Sequence, residues 1–159
     1  MASVLFVCLG NICRSPMAEG AFRRAAAQAG LDGLEIASAG TGDWHVGNPP
    51  DPRAQTTARR HGVDISGQRA AQVRANDFHR FDHILAMDAA NLAALERLRP
   101  AGAQAELRLF LDYAGGAGTG EVPDPYYGGD GGFDHVWSLV SAAADGLVAH
   151  LKQTARAGA

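Results

Sequence analysis

The run Val4-Leu5-Phe6-Val7-Cys8-Leu9-Gly10-Asn11-Ile12-Cys13-Arg14-Ser15-Pro16 decides how the rest of the chain is read. Val4 to Val7 is a continuous apolar stretch leading straight into a loop with Gly10 and Asn11, which predicts a buried strand. Ser15 before Pro16 predicts a helix start, with the hydroxyl at the N-cap and the proline at the first helical position. Met17, Ala21 and Ala25 then recur at four-residue spacing, and Gly30 ends the helix. Strand, loop, helix places Cys8 at the carboxyl end of a strand and Ser15 at a helix N-terminus, where open α/β sheets bind ligands.

Outward from this unit, Leu34 to Ala37 predicts a second strand, and Gly40 to Pro52 an irregular connection of the length that usually carries function. A helix is expected from Arg53 to Gly62, a buried strand from Ile84 to Met87, and a helix capped by Asp88 that runs to Leu98. Leu107 to Leu111 predicts a fourth strand. After the glycine-rich stretch Ala114 to Gly132, Phe133, Val136, Trp137, Val140, Ala144, Leu147, Val148 and Leu151 form the apolar stripe of a last helix. Strands alternating with helices predict an α/β fold, a single domain with a four-stranded parallel sheet flanked by helices on both faces through right-handed crossovers. The domain is expected to span residues 1–152, with 153–159 as a short tail.

The chain has 159 residues, 47% apolar and 19% charged, which suits one domain with its own core. A net charge of -3 without a basic stripe argues against nucleic acid as partner. No run approaches the roughly 18 apolar residues of a membrane span, and no leader is evident at the N-terminus, so a chain not inserted in membrane is expected. Cys8 and Cys13 are the only 2 cysteines, too few for a disulfide framework, which points to a reducing cytoplasm. His45, His61, His79, His83, His135 and His150 lack metal-ligand spacing, and neither metal nor cofactor is expected.

The loop carries the chemistry. Backbone N–H groups of Leu9, Gly10, Asn11, Ile12, Cys13, Arg14 and Ser15 can converge on an oxyanion, the following helix adds partial positive charge, and the Arg14 fork can meet two phosphate oxygens. Gly10 and Asn11 tolerate the positive φ that curls such a loop. The same surroundings favour thiolate over thiol at Cys8, facing a bound phosphorus. A nucleotide P-loop is excluded, because no G-x-x-x-x-G-K-[ST] run occurs.

The stretch Cys8 to Pro16, C-L-G-N-I-C-R-S-P, resembles the signature loop of the low-molecular-weight protein tyrosine phosphatases. Ser38-Ala39-Gly40-Thr41, Trp44-His45-Val46-Gly47 and Pro50-Asp51-Pro52-Arg53 are similar to that family's second block, and Asp124-Pro125-Tyr126-Tyr127-Gly128 to its acid loop. The resemblance covers essentially the whole chain. It implies a phosphotyrosine protein phosphatase I-like fold and hydrolysis of protein phosphotyrosine through a phosphocysteine intermediate. Cys8 would be the nucleophile, Arg14 the phosphate clamp and Asp124 the general acid. Asn11, Ser15 and Ser38 would brace the loop, and Leu9, Trp44, Tyr126 and Tyr127 would line the substrate pocket. Many members carry histidine and arginine in this brace where Gln68 and Ala71 stand here. Some relatives phosphorylate the tandem tyrosines, and some associate weakly through the active-site face; a monomer is expected. Cys13 is either a partner of Cys8 in a reversible disulfide or a passive buried thiol.

A first step that needs Cys8 ionised and Asp124 protonated predicts an optimum at roughly pH 5 to 6.5. Three rivals remain. Arsenate reduction on the same scaffold needs cysteines beyond Cys13, and protein arginine phosphatase activity is seen in relatives with threonine at the position of Ile12. A non-catalytic phosphotyrosine-binding module would have no use for Cys8, Arg14 and Asp124 together.

Overall fold

The structure, a computed structural model, describes residues 2–115, 120–129 and 131–157. Strand β1 (Ser3–Cys8) passes through the phosphate-loop candidate into α1 (Arg14–Gln28). There follow β2 (Glu35–Gly40), α2 (Pro52–Arg60), a short α3 (Asp77–Arg80), β3 (His83–Ala86), α4 (Ala89–Leu98), β4 (Glu106–Leu109), a 3₁₀ turn (Phe110–Ala114) and α5 (Gly131–Ala157). The sheet is four-stranded and parallel, in the order β2-β1-β3-β4.

Every residue of β1 is buried, and its side chains alternate between two cores. Val4, Phe6 and Cys8 face a core built with α1, α2 and α5, where the Phe6 ring centroid lies 5.6 Å from Phe22 and 4.9 Å from Phe110. Leu5 and Val7 face the other, with Phe78 and Phe81 around α3, Ile84 and Ala86 of β3, and Leu95 of α4. Helices thus cover both faces. From β1 the chain goes to β2 on one side and later to β3 on the other, so the carboxyl end of β1 is the point where the winding reverses and a crevice opens.

Helix α1 starts two residues earlier than the hydroxyl of Ser15 suggests. Cys13 occupies the N-cap position without a side-chain bond, and Ser15 lies inside the first turn. Its hydroxyl is engaged elsewhere. The C-terminus follows the sequence: Gly30, at φ 73°, donates to Ala27 O and Leu31 donates to Ala26 O, the paired bonds of a Schellman end. Asp51 caps α2 through Arg53 N at 2.8 Å, and Asp88 caps α4 through Asn91 N at 2.7 Å.

Other boundaries differ from the sequence reading too. β2 runs on to Gly40, because Ser38, Ala39 and Gly40 pair with Phe6, Val7 and Cys8. β4 ends at Leu109, since Phe110 turns its ring into the core against Phe6 rather than continuing the ladder. α5 extends past Lys152 to Ala157.

Candidate active site

Cys8 ends β1 with its side chain 2% exposed, and the loop after it is held from outside by its own carbonyls. Thr41 N donates to Cys8 O and Gly42 N to Leu9 O, both at 2.9 Å; Asp51 N donates to Ile12 O at 2.8 Å and Met17 N to Cys13 O at 3.2 Å. With the carbonyls drawn outward, the N–H groups are left to face inward. Among the described residues, none accepts from the backbone N–H of Gly10, Ile12 or Cys13. Together with the N-terminus of α1, this is a donor nest of the kind that takes an oxyanion.

The curl depends on Asn11, at φ 57°, and not on Gly10, which does not adopt a positive φ. Gly10 matters for a different reason: a methyl there would lie 3.2 Å from Cδ2 of His45, whose ring packs over it. Asn11 is 2% exposed and uses its whole side chain. Nδ2 donates to Ser15 Oγ at 2.7 Å and to Ser38 Oγ at 3.0 Å, while Oδ1 accepts from Ala71 N at 3.0 Å. Ser15 Oγ accepts from Asn11, lies 3.0 Å from Cys8 Sγ and is 3.5 Å from Ala39 O, to which it can donate. Asn11 N donates to the sulfur at 3.3 Å. Ser38 donates on to Gln68 Oε1 at 3.4 Å, and Gln68 Nε2 donates to Pro16 O at 3.1 Å, so glutamine joins the brace without a titratable group. At Ala71 the brace uses the backbone N–H.

Arg14 is 3% exposed. Nη1 donates to Asp88 Oδ2 at 2.6 Å and to Val122 O at 3.1 Å; Nη2 lies 3.7 Å from Asp124 Oδ2. Burial alone would lower the guanidinium's pKa, but Cys8, Asp88 and Asp124 outweigh it and hold the pKa above its ordinary value. Asp88 was read from the sequence as a helix cap only. Its two oxygens do two things: Oδ1 caps α4 and Oδ2 orients Arg14.

Cys8, Leu9, Gly10, Ile12, Cys13 and Arg14 line a cleft of about 420 Å³ with Trp44, His45, Asp124, Tyr126 and Tyr127. Asn11 and Ser15 lie behind it, Asn11 with its N–H on the sulfur and Ser15 with its hydroxyl beside it. Trp44, Tyr126 and Tyr127 are 68%, 38% and 92% exposed, forming an open aromatic wall around a buried polar floor. Tyr126 N donates to Asp124 Oδ1 at 3.1 Å and fixes the acid loop as a turn. Both cysteines are free and buried. Burial, reinforced by Asp51, Cys8 and Asp124, pushes the Cys13 thiol far up, so the site holds one thiol placed for attack and one kept protonated. Among the described residues no group of three or more His, Cys, Asp or Glu side chains could hold a metal ion, and no helix is long and apolar enough to cross a membrane.

From the sequence, His45 stands in a motif without a role of its own, and Asp88 reads only as a cap. His45 follows Trp44 in a loop tied to distant backbone, with Gly42 N donating to Leu9 O and Gly47 N to Ala70 O, and Asp88 lies 74 residues from Arg14.

The model of the family described as low molecular weight phosphotyrosine protein phosphatase matches residues 3–157. The low molecular weight phosphotyrosine protein phosphatase of Schizosaccharomyces pombe is 48% identical over 132 residues, covering 82% of this chain and 84% of its own. The low molecular weight protein-tyrosine-phosphatase YfkJ of Bacillus subtilis is 44% identical over 154 residues, covering 96% and 97%. The crystal structure of YfkJ superposes with a TM-score of 0.89 over 97% of this chain and 96% of that one. A Drosophila arginine phosphatase is 33% identical, with a TM-score of 0.89, covering 94% and 97%.

Proposed function

The chain belongs to the low molecular weight phosphotyrosine protein phosphatase family and is a protein tyrosine phosphatase, and from that premise we propose how its residues divide the work. A phosphotyrosine side chain enters between Trp44 and the tyrosine pair and presents its phosphate to the donor nest. Cys8 Sγ attacks phosphorus in line: the S–P bond forms, the P–O bond to the tyrosyl oxygen breaks, and Asp124 passes its proton to that oxygen. Water then attacks the phosphocysteine and Asp124 takes up its proton. The S–P bond breaks, leaving inorganic phosphate and the thiolate.

Arg14 and the loop amides bind the equatorial oxygens through both steps, so the protein supplies mainly position and preorganised charge. Asp88 and Val122 O hold one edge of the guanidinium and leave Nη2 toward the cleft. The observation that carries this reading is the convergence of Ser15 Oγ and Asn11 N on Cys8 Sγ, with Arg14 and Asp124 lining the same cleft. A nucleophile that must stay a reduced thiolate suits a reducing compartment, and a cytoplasmic monomer acting on phosphoproteins is part of the proposal.

A second reading, phosphoarginine hydrolysis, draws on the likeness to the Drosophila arginine phosphatase. Ile12, a branched apolar side chain lining the cleft, favours the flat ring of phosphotyrosine instead. The test is hydrolysis of a phosphotyrosine peptide, p-nitrophenyl phosphate and phosphoarginine from pH 4.5 to 8 by wild type, Cys8→Ser and Asp124→Asn. The expected outcome is phosphotyrosine turnover best on the mildly acid side, none with Cys8→Ser, and a loss of about 10²-fold or more for Asp124→Asn on the peptide. A wild type that binds the peptide without turnover, or prefers phosphoarginine, overturns it.

A further inference from the structure

Asp124 is 40% exposed and meets Arg14 only at 3.7 Å, so a contact that weak does not by itself place the carboxyl. A continuous set of contacts reaches it from the opposite side. Asp51, at the start of α2, is bonded to the phosphate loop through its N–H and Ile12 O at 2.8 Å. Arg53 grips both oxygens of the Asp51 carboxylate, Nε to Oδ1 at 3.1 Å and Nη2 to Oδ2 at 2.9 Å. The flat guanidinium then lies against two rings, its carbon 5.4 Å from the Tyr126 centroid and 4.8 Å from that of Phe133 at the start of α5. Tyr126 N closes the set on Asp124 Oδ1. Arg53 is not among the residues lining the cleft.

We propose that Arg53 is a positioning residue for the proton donor: it registers the acid loop against the phosphate loop, so that Asp124 stands over the leaving oxygen. The inference rests on the reading of Asp124 as general acid. Arg53 is suited to this role because only a planar cation can chelate Asp51 on its edge and stack Tyr126 and Phe133 on its faces. The bonds from Arg53 hold the Asp51 carboxylate below its ordinary pKa, so the strut stays charged across the acid range where the chemistry runs.

The experiment compares kcat/KM on 2,4-dinitrophenyl phosphate, whose leaving group needs no proton, with that on phenyl phosphate, whose leaving group does. The proteins are wild type, Arg53→Ala, Arg53→Lys, Asp124→Asn and the double variant Arg53→Ala/Asp124→Asn. Because kcat/KM covers steps up to departure of the leaving group, it isolates the proton transfer. Arg53→Ala is expected to lose about 10-fold or more on phenyl phosphate and less than about 2-fold on dinitrophenyl phosphate, a part of the 10²–10⁴ that a general acid supplies. The double variant should be no worse than Asp124→Asn alone on phenyl phosphate. Arg53→Lys keeps the charge opposite Asp51 but not the stacking plane; it should show the same selective loss to a smaller degree, and it decides the matter if Arg53→Ala does not fold. Equal losses on the two substrates, or none, overturn the inference. If Asp124→Asn itself fails to discriminate between the leaving groups, the acid assignment falls and this inference with it. If Asp124→Asn discriminates and the Arg53 variants do not, only the inference falls.

Discussion

Asn11 is the only non-glycine residue with positive φ among the described residues, and its side chain explains why that backbone is tolerated. Asparagine enters the left-handed region more easily than most residues, and here both ends of its amide are hydrogen-bonded. Asn11→Ala would keep the strained φ, remove donors from Ser15 and Ser38, and leave the N–H of Ala71 without its acceptor. The expected cost is about 3 to 5 kcal/mol, read as a lower urea midpoint at unchanged slope, with activity falling further because Ser15 loses the bond that holds its hydroxyl beside Cys8. A loss under about 1 kcal/mol would mean that the brace is dispensable. This residue and its neighbours were legible in the sequence because the loop is local: thiol, turn residues and guanidinium follow one another within Cys8 to Arg14. Gly10 was read as curling the loop and does not, and the reading of Ser15 as a cap failed, since a hydroxyl before proline suits a cap and an inward hydrogen bond equally, and the sulfur beside it decides which.

Among the elements, α5 packs on the 3₁₀ turn after β4 with backbone against backbone. A methyl on Gly146 would overlap the carbonyl oxygen of Tyr113 and lie 2.7 Å from its carbon. Helix propensity favours alanine over glycine by about 1 kcal/mol, but the obstacle is backbone and cannot rotate away. Gly146→Ala is therefore expected to destabilise by a net of about 2 kcal/mol or more, seen as a lowered Tm, whereas propensity alone would raise it. The elements themselves could be read from the chain: β1 from its apolar run, α4 from Asp88, α5 from its stripe. What could not be read were contacts between distant elements. Arg108 and Leu109 give no sign that the strand stops before Phe110; the space beside Phe6 sets that limit. Asp88 looked like a cap and is one, but its second oxygen faces Arg14 only because β3 lies beside β1. Arg53 similarly meets Tyr126 through the folding of α2 against α5.

Across the whole molecule, acid sensitivity should have a source outside the active site. His83, on β3, is partly buried between β4 and α5, with Nδ1 unpartnered by any hydrogen bond and 3.7 Å from Glu106 Oε2. Asp82, Arg108 and the His150 ring, 6.3 Å away between centroids, complete its charged surroundings. Burial pushes the imidazole below its ordinary value, more than Glu106 and Asp82 raise it. A depressed folded-state pKa means that the folded chain resists protonation. Its contribution is present above the ordinary imidazole value of about 6.5 and is lost as pH falls through the lowered one. Between pH 7 and 5, wild type should lose more of its urea midpoint than His83→Asn; equal losses would place the sensitivity elsewhere. The bond from Arg14 to Val122 O spans 108 residues. During synthesis, Cys8 and Arg14 leave the ribosome early, while the Val122 carbonyl that holds Arg14 and the Asp124 carboxyl beside it emerge near the end. A nascent or truncated chain therefore carries the thiol before the carboxyl proposed as its proton donor, so the full set of cleft residues comes together only once the C-terminal part of the chain has been made.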